Sequence, residues 1–212
     1  MICQACWDSM ERWEAQSCQR CGIRLQAPVQ DPMLCPKCRI PDWDCADIRA
    51  IGPFKAPLAD AVHLLKYSDR RSVVKKLSLF MEQSLAGAEQ YRTADLILSV
   101  PLHPARKRER GYNQAQLLAQ ALGNLLGKPC PENIIARARH TKTQTKLNKQ
   151  QRLENVKDLF TVRKPEQVKG KTIILVDDVL TTGATIGSCA QALLAAGASK
   201  VLALTAAAAP LD

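Results

Sequence analysis

Apolar positions recur along most of this chain at one of two spacings. Leu58, Ala61, Val62 and Leu65 repeat every three or four residues and predict an amphipathic helix from Leu58 to Lys66. A second helix is expected from Val73 to about Leu85, with Leu77, Phe80 and Met81 on one side. A third covers residues 113–126 through Ala115, Leu118, Ala119, Leu122 and Leu125/Leu126, closed by Gly127 and Pro129. Shorter apolar runs read as strands: Ile48 to Phe54, Asp95 to Val100 stopped by Pro101, Thr172 to Val176, and Lys200 to Thr205. Between the last two lies an Ala-rich helix, Ala184 to Ala196, ended by Gly197. Strands alternating with helices predict right-handed crossovers and a parallel α/β sheet.

The first 45 residues break this pattern and are cysteine-rich instead. Six of the nine cysteines form three C-x2-C pairs, Cys3/Cys6, Cys18/Cys21 and Cys35/Cys38. Two thiolates presented from one tight turn suit a tetrahedral metal, and zinc is its usual occupant in a reducing cytosol. An odd cysteine total argues against a complete internal disulfide set. Cys130 and Cys189 stand alone and read as small hydrophobes. Charge divides the chain at the same place. Residues 1–45 carry five basic and six acidic side chains, so the net +10 of the 212-residue protein lies wholly in the remainder. That excess excludes an acidic scaffold and favours phosphates, polyanions or anionic lipid as partners. The longest apolar stretches, such as Val201 to Ala209, fall short of the ~20 residues a membrane span needs. A cytoplasmic protein is expected, with a zinc module over residues 1–45 and an α/β domain over 46–212.

Chemistry concentrates in the segment from Ile173 to Thr185. A hydrophobic strand delivers Asp177 and Asp178 to its C-terminal end, and Val179, Leu180, Thr181, Thr182, Gly183, Ala184 and Thr185 then lead into a helix. Backbone N–H groups and Thr hydroxyls at a helix start can surround a phosphate, and adjacent carboxylates accept from vicinal ribose hydroxyls. The string resembles the phosphoribosyl pyrophosphate (PRPP) motif of type I phosphoribosyltransferases. That resemblance implies that Asp177 and Asp178 hold the ribose hydroxyls with Mg2+ nearby, and that residues 179–185 bind the 5-phosphate. A second segment, Ser99 to Gln114, follows a buried strand and sets four cations against one acid. Fixed charge at Arg106, Lys107 and Arg110, with N–H donors near Val100, Pro101 and Leu102, would stabilise a pyrophosphate.

Taken together, these motifs resemble the ComF family of competence-associated phosphoribosyltransferase-like proteins. The likeness runs through the C-x2-C pairs, Leu64-Leu65-Lys66, Val100 to Pro104, Arg110 to Gln114, Thr143-Gln144, Arg152, Asn155 and the PRPP motif. It implies a type I phosphoribosyltransferase-like parallel sheet with helices on both faces and an N-terminal zinc ribbon in place of the usual hood. It further implies handling of imported single-stranded DNA during natural transformation, beside DNA-translocation proteins at the inner face of the membrane. Many relatives carry four C-x2-C pairs. By that register Cys18, Cys21, Cys35 and Cys38 form the complete zinc site, and Cys3 and Cys6 are half of another, with an internal start codon at Met1 as one explanation. Pairing of Cys3/Cys6 with Cys18/Cys21 is the alternative.

Arg137 to Arg152 holds six cations, among them Lys142, Lys146, Lys149 and Arg152, and no acid. Such a stretch reads as a DNA-backbone track, as the loop that closes over PRPP in type I phosphoribosyltransferases, or as a solvated basic surface. Lys66 joins these residues as a further phosphate or DNA contact. Two functions follow: a PRPP-binding adaptor for single-stranded DNA, or a Mg2+-dependent phosphoribosyltransferase of nucleotide salvage.

Overall fold

The structure, a computed structural model, describes residues 2–13, 18, 45–67, 71–137 and 159–209. Four strands, β1 (Asp47–Pro53), β2 (Leu96–Ser99), β5 (Thr172–Leu180) and β6 (Lys200–Ala208), form a parallel sheet in the order β1-β6-β5-β2. A separate antiparallel pair joins β3 (Ile135–Arg137) to β4 (Phe160–Val162).

The central strands are apolar on both sides because helices cover both sides. Ile174 and Val176 of β5, with Leu202 and Leu204 of β6, face α2 (Leu58–Tyr67), α3 (Arg71–Gln83) and α6 (Gln114–Leu126). Their neighbours Ile173, Leu175, Val201 and Ala203 point the other way, onto Ile186, Cys189, Ala190 and Leu193 of α7 (Ala184–Ala195). The predicted apolar positions supply these cores except Leu125, which is exposed at the end of α6, and each fully buried leucine contributes about 1.5–3 kcal/mol before chain entropy is subtracted. Cys189 is buried as expected of a small hydrophobe, and burial pushes its thiol well above the ordinary range. Cys130 is half-buried, its thiol pushed up to about 11 by burial.

Three segments differ from the expectation. Pro104–Arg110, where apolar spacing predicts no helix, is a helix, α5. It buries no side chain and so has no apolar periodicity to betray it. Its start is set by Pro104 and by His103 Nδ1 accepting from the Ala105 N–H at 3.2 Å, its end by Gly111 at φ 81°. The strands expected to stop at Val176 and Thr205 run on to Leu180 and Ala208. They continue together, with Val179 opposite Ala207 and Leu180 opposite Ala208, and β1 pairs Pro53 with Ala208 on the far side.

The N-terminal segment docks on this domain. Met10 is buried in the core under α2 and α3, and Ile2 and Trp7 pack against it. The Trp7 ring meets Phe80 edge-on at 5.8 Å, and the Trp13 N–H donates to the Ile51 carbonyl at 2.9 Å. The short helix α1 (Gln4–Asp8) carries this arm. Helix α4 (Glu89–Arg92) presents Tyr91, whose hydroxyl donates to the Ala203 carbonyl at 2.8 Å inside the core.

Candidate functional site

Register places the motifs together. Ser99 lies opposite Val176, so the Val100–Leu102 turn and the Asp177/Asp178 pair emerge at the same C-terminal end of the sheet, where ligands of open α/β sheets bind. A cleft of about 250 Å³ opens there. It is lined by His63, Lys66, Val100, Pro101, Leu102, Arg106, Arg110, Asn113, Gln114, Arg137, Asp177, Asp178 and Thr185.

Each wall has a local cause. Asn113 caps α6 by accepting from the Ala115 N–H at 3.1 Å, while its Nδ2 donates to the Val100 carbonyl at 3.0 Å. One side chain therefore ties the helix to the turn. Lys66, at the end of α2, reaches Asp178 Oδ2 at 3.0 Å, and Gln114 Nε2 donates to the same oxygen at 3.3 Å. Arg110 Nη1 donates to Gln114 Oε1 at 2.6 Å, which relays the α5 cation to the carboxylate. The Tyr112 hydroxyl donates to the Leu65 carbonyl at 2.7 Å and fixes α2 against the α5–α6 corner. The other oxygen of Asp178 accepts from the Val179 N–H, and Asp177 Oδ1 accepts from the Asp178 N–H, both at 2.8 Å. Burial, and then the neighbouring Asp178 charge, hold the Asp177 carboxyl well above the usual carboxylate range, with Lys66 acting weakly against them.

Not every expected residue reaches this cleft. Val179 and Leu180 belong to β5, and the Leu180 side chain is buried in the core facing α7. The turn proper is Thr181–Gly183, with Gly183 at φ 82° as the cap of α7 and Thr182 Oγ1 accepting from the Ala184 N–H at 3.4 Å. Lys107 points into a second cleft of about 190 Å³. Lys142, Lys146, Lys149, Arg152, Cys21, Cys35 and Cys38 lie outside the described residues. Cys18 is buried.

Residues 108–210 match the phosphoribosyl transferase domain family. Over 206 residues the chain is 34% identical to the DNA utilization protein YhgH of Salmonella typhimurium, covering 94% of this chain and 87% of that one. It is 30% identical over 204 residues to competence protein F of Haemophilus influenzae, with the same coverage of 94% and 87%. The chain belongs to the ComF family. Competence protein ComFC of Streptococcus pneumoniae is 27% identical over 205 residues, covering 94% and 84%. Among solved structures, glutamine PRPP amidotransferase from B. subtilis aligns at a TM-score of 0.47 and 21% identity, over 67% of this chain and 30% of that one. The chain thus spans under a third of that enzyme's length.

In this ComF-family chain two site residues carry little sequence signal. His63 falls three residues before Lys66 on α2, a spacing that puts both on the cleft side, but a lone histidine in an amphipathic helix is unremarkable. Gln114 falls within the Arg110 to Gln114 motif, but its neutral side chain gives no sign that it stands between Arg110 and Asp178. At the other end, Cys3 and Cys6 are on α1's first turn with Sγ atoms 3.4 Å apart. Two thiolates on tetrahedral zinc with bonds of about 2.3 Å stand roughly 3.8 Å apart, so this pair fits half a zinc site with a slight opening. The Cys6 backbone N–H lowers Cys3, whereas the hydrogen bond to Cys3 raises Cys6. Among the described residues no cluster of three or more metal-ligating side chains occurs.

Proposed function

We propose that this protein is a cytoplasmic PRPP-binding adaptor of DNA uptake, handling incoming single-stranded DNA during natural transformation. The observation that carries the reading is the convergence, in one cleft, of the Asp177/Asp178 pair, the Val100–Leu102 turn, Arg106, Arg110 and Thr185, in a chain whose relatives include two competence proteins. The 5-phosphate sits against Thr181–Thr185, the ribose hydroxyls donate to the two carboxylates, and the pyrophosphate faces Arg106 and Arg110. Mg2+ would neutralise the pyrophosphate, and hard carboxylate oxygens at Asp177 suit it as neighbours. Zinc is assigned to residues 1–45, first to Cys18, Cys21, Cys35 and Cys38, with Cys3 and Cys6 second. Single-stranded DNA follows Lys142, Lys146, Lys149 and Arg152, and the partners are DNA-translocation proteins at the inner face of the membrane. Among the described residues no helix is long and apolar enough to cross a membrane.

Calorimetric titration with PRPP and Mg2+ tests the site. Replacing Asp177 and Asp178 together by Asn keeps their size, and each charge-assisted hydrogen bond lost should cost about 1.5–3 kcal/mol, tenfold or more in affinity. Unchanged PRPP binding by a folded double variant overturns the assignment. The match of residues 108–210 to a transferase domain favours a second reading, a catalytically active phosphoribosyltransferase. Pyrophosphate release that needs a free base and ignores DNA would select it.

A further inference from the structure

Beside the candidate PRPP cleft lies the second one, about 190 Å³, on the far side of the Pro101–Leu102 turn. The two share Pro101, Leu102, Asn113 and Arg137, so the turn is a partition between them. Lys107 of α5 and Arg163, just past β4, face the second cleft, and Arg137 closes it at the end of β3. Among the described residues none of these three cations, nor Arg106, takes part in an ion pair. Arg137 is turned over the Phe160 ring at 5.7 Å. The single acid in the lining, Glu132, accepts from Gln120 Nε2 at 2.6 Å. Next to it Asn133, also in the lining, sits at φ 60°, the described residue other than glycine with positive φ. Unpaired cations around a concavity raise the local concentration of anions far more than the same charges on a convex surface.

We propose that this second cleft is a phosphate subsite, taking a 5′-phosphomonoester of a nucleotide while PRPP occupies the first. Lys107 and Arg163 hold the phosphate oxygens, Arg137 is shared across the partition, and the nucleoside lies over the Pro101–Leu102 turn. The inference rests on the PRPP reading of the first cleft and names what stands beside PRPP: a phosphorylated nucleotide unit rather than a free base. The cleft has room for a phosphate and part of a sugar, and its charge is matched to nothing else the site requires.

The test uses the full chain, saturated with PRPP and Mg2+, and fluorescence anisotropy of a short oligothymidylate bearing either a 5′-phosphate or a 5′-hydroxyl. The phosphorylated strand should bind about tenfold more tightly, the value of one charge-assisted contact, and thymidine 5′-monophosphate should compete where thymidine does not. Arg163→Gln, at an exposed position, should erase the preference and leave PRPP affinity unchanged, and Lys107→Gln should erase it as well. Competition by the mononucleotide with no end preference in the strand assigns the subsite to free nucleotides. No preference of either kind in the wild type overturns the proposal. So does weakening of PRPP by either variant with the end preference intact, because the cleft would then belong to the pyrophosphate. Failure of the wild type to bind PRPP at all would instead remove the reading of the first cleft.

Discussion

Asp177 and Asp178 are adjacent in sequence but differ in what surrounds them. Asp178 is nearly buried and is compensated by Lys66, Gln114 and the Val179 N–H. Asp177 has the Asp178 N–H, and its carboxyl is raised by burial and by the neighbouring charge. A carboxyl whose folded pKa exceeds its unfolded value stabilises the fold below that unfolded value, ordinarily 3.8, and loses this contribution as pH rises through the folded value. At neutral pH an ionised Asp177 therefore costs stability in the absence of ligand. Asp177→Asn should raise stability at pH 7 by an amount on the order of 1 kcal/mol, read as a higher unfolding temperature, and the gain should shrink toward pH 4. The same variant should bind PRPP less well. Lys66→Met should act in the opposite direction, leaving the Asp178 carboxylate without its cation and lowering stability by about 1–3 kcal/mol. Calorimetric scans between pH 4 and pH 8 check both, and a uniform loss of stability for Asp177→Asn across that range would contradict the assignment of strain to this carboxyl.

At the scale of elements, the N-terminal arm and β1 meet at Gly52, where a Cβ would run into the Glu11 carbonyl oxygen. The obstacle is backbone, so a side chain at this position forces the arm away instead of turning a rotamer aside. Gly52→Ala should cost about 1–3 kcal/mol and shift the emission of Trp7 and Trp13, which flank the contact. An unaltered spectrum and unfolding temperature would show that the arm does not dock there. This contact was not legible in the sequence, where Gly52 is one glycine in an apolar run. Helices α2, α3 and α6 were legible because each buries a periodic apolar stripe, and the sheet because its strands are apolar on both sides. What escaped prediction lacked such a stripe. Helix α5 is set by caps around a charged, unburied segment. The unexpected ends of β5 and β6 begin with two aspartates and consist of alanines respectively, which give no strand signal, and they are held in the ladder by their partners. The candidate site was legible as two motifs, and their meeting follows from β2 pairing with β5. The link from Arg110 through Gln114 to Asp178 depends on side-chain positions that no spacing encodes.

Over the whole molecule, charge is divided rather than spread. The cysteine-rich first 45 residues are close to neutral, and the basic excess falls on the domain that carries both clefts. Arg106, Arg110 and Arg137 line the candidate PRPP cleft, and Lys107 and Arg163 the one beside it. The sequence then runs from Arg137 directly into the stretch holding Lys142, Lys146, Lys149 and Arg152. A strand attracted by this charge binds mainly through its phosphates, so affinity should be nearly independent of sequence and fall steeply with salt. Each phosphate contact with single-stranded DNA contributes a slope of about 0.7 in log affinity against log salt, because contact releases bound counterion. Replacing Lys142, Lys146, Lys149 and Arg152 together by Gln should therefore flatten the slope by up to roughly 2.8 if all four contact phosphates. Anisotropy titrations of labelled strands across a salt series measure it directly. A slope that does not change, accompanied by a loss of PRPP affinity, would assign the four cations to PRPP and leave the strand to other charges. No binding by the wild type at low salt, together with rapid base-specific pyrophosphate release, would place the protein in nucleotide salvage.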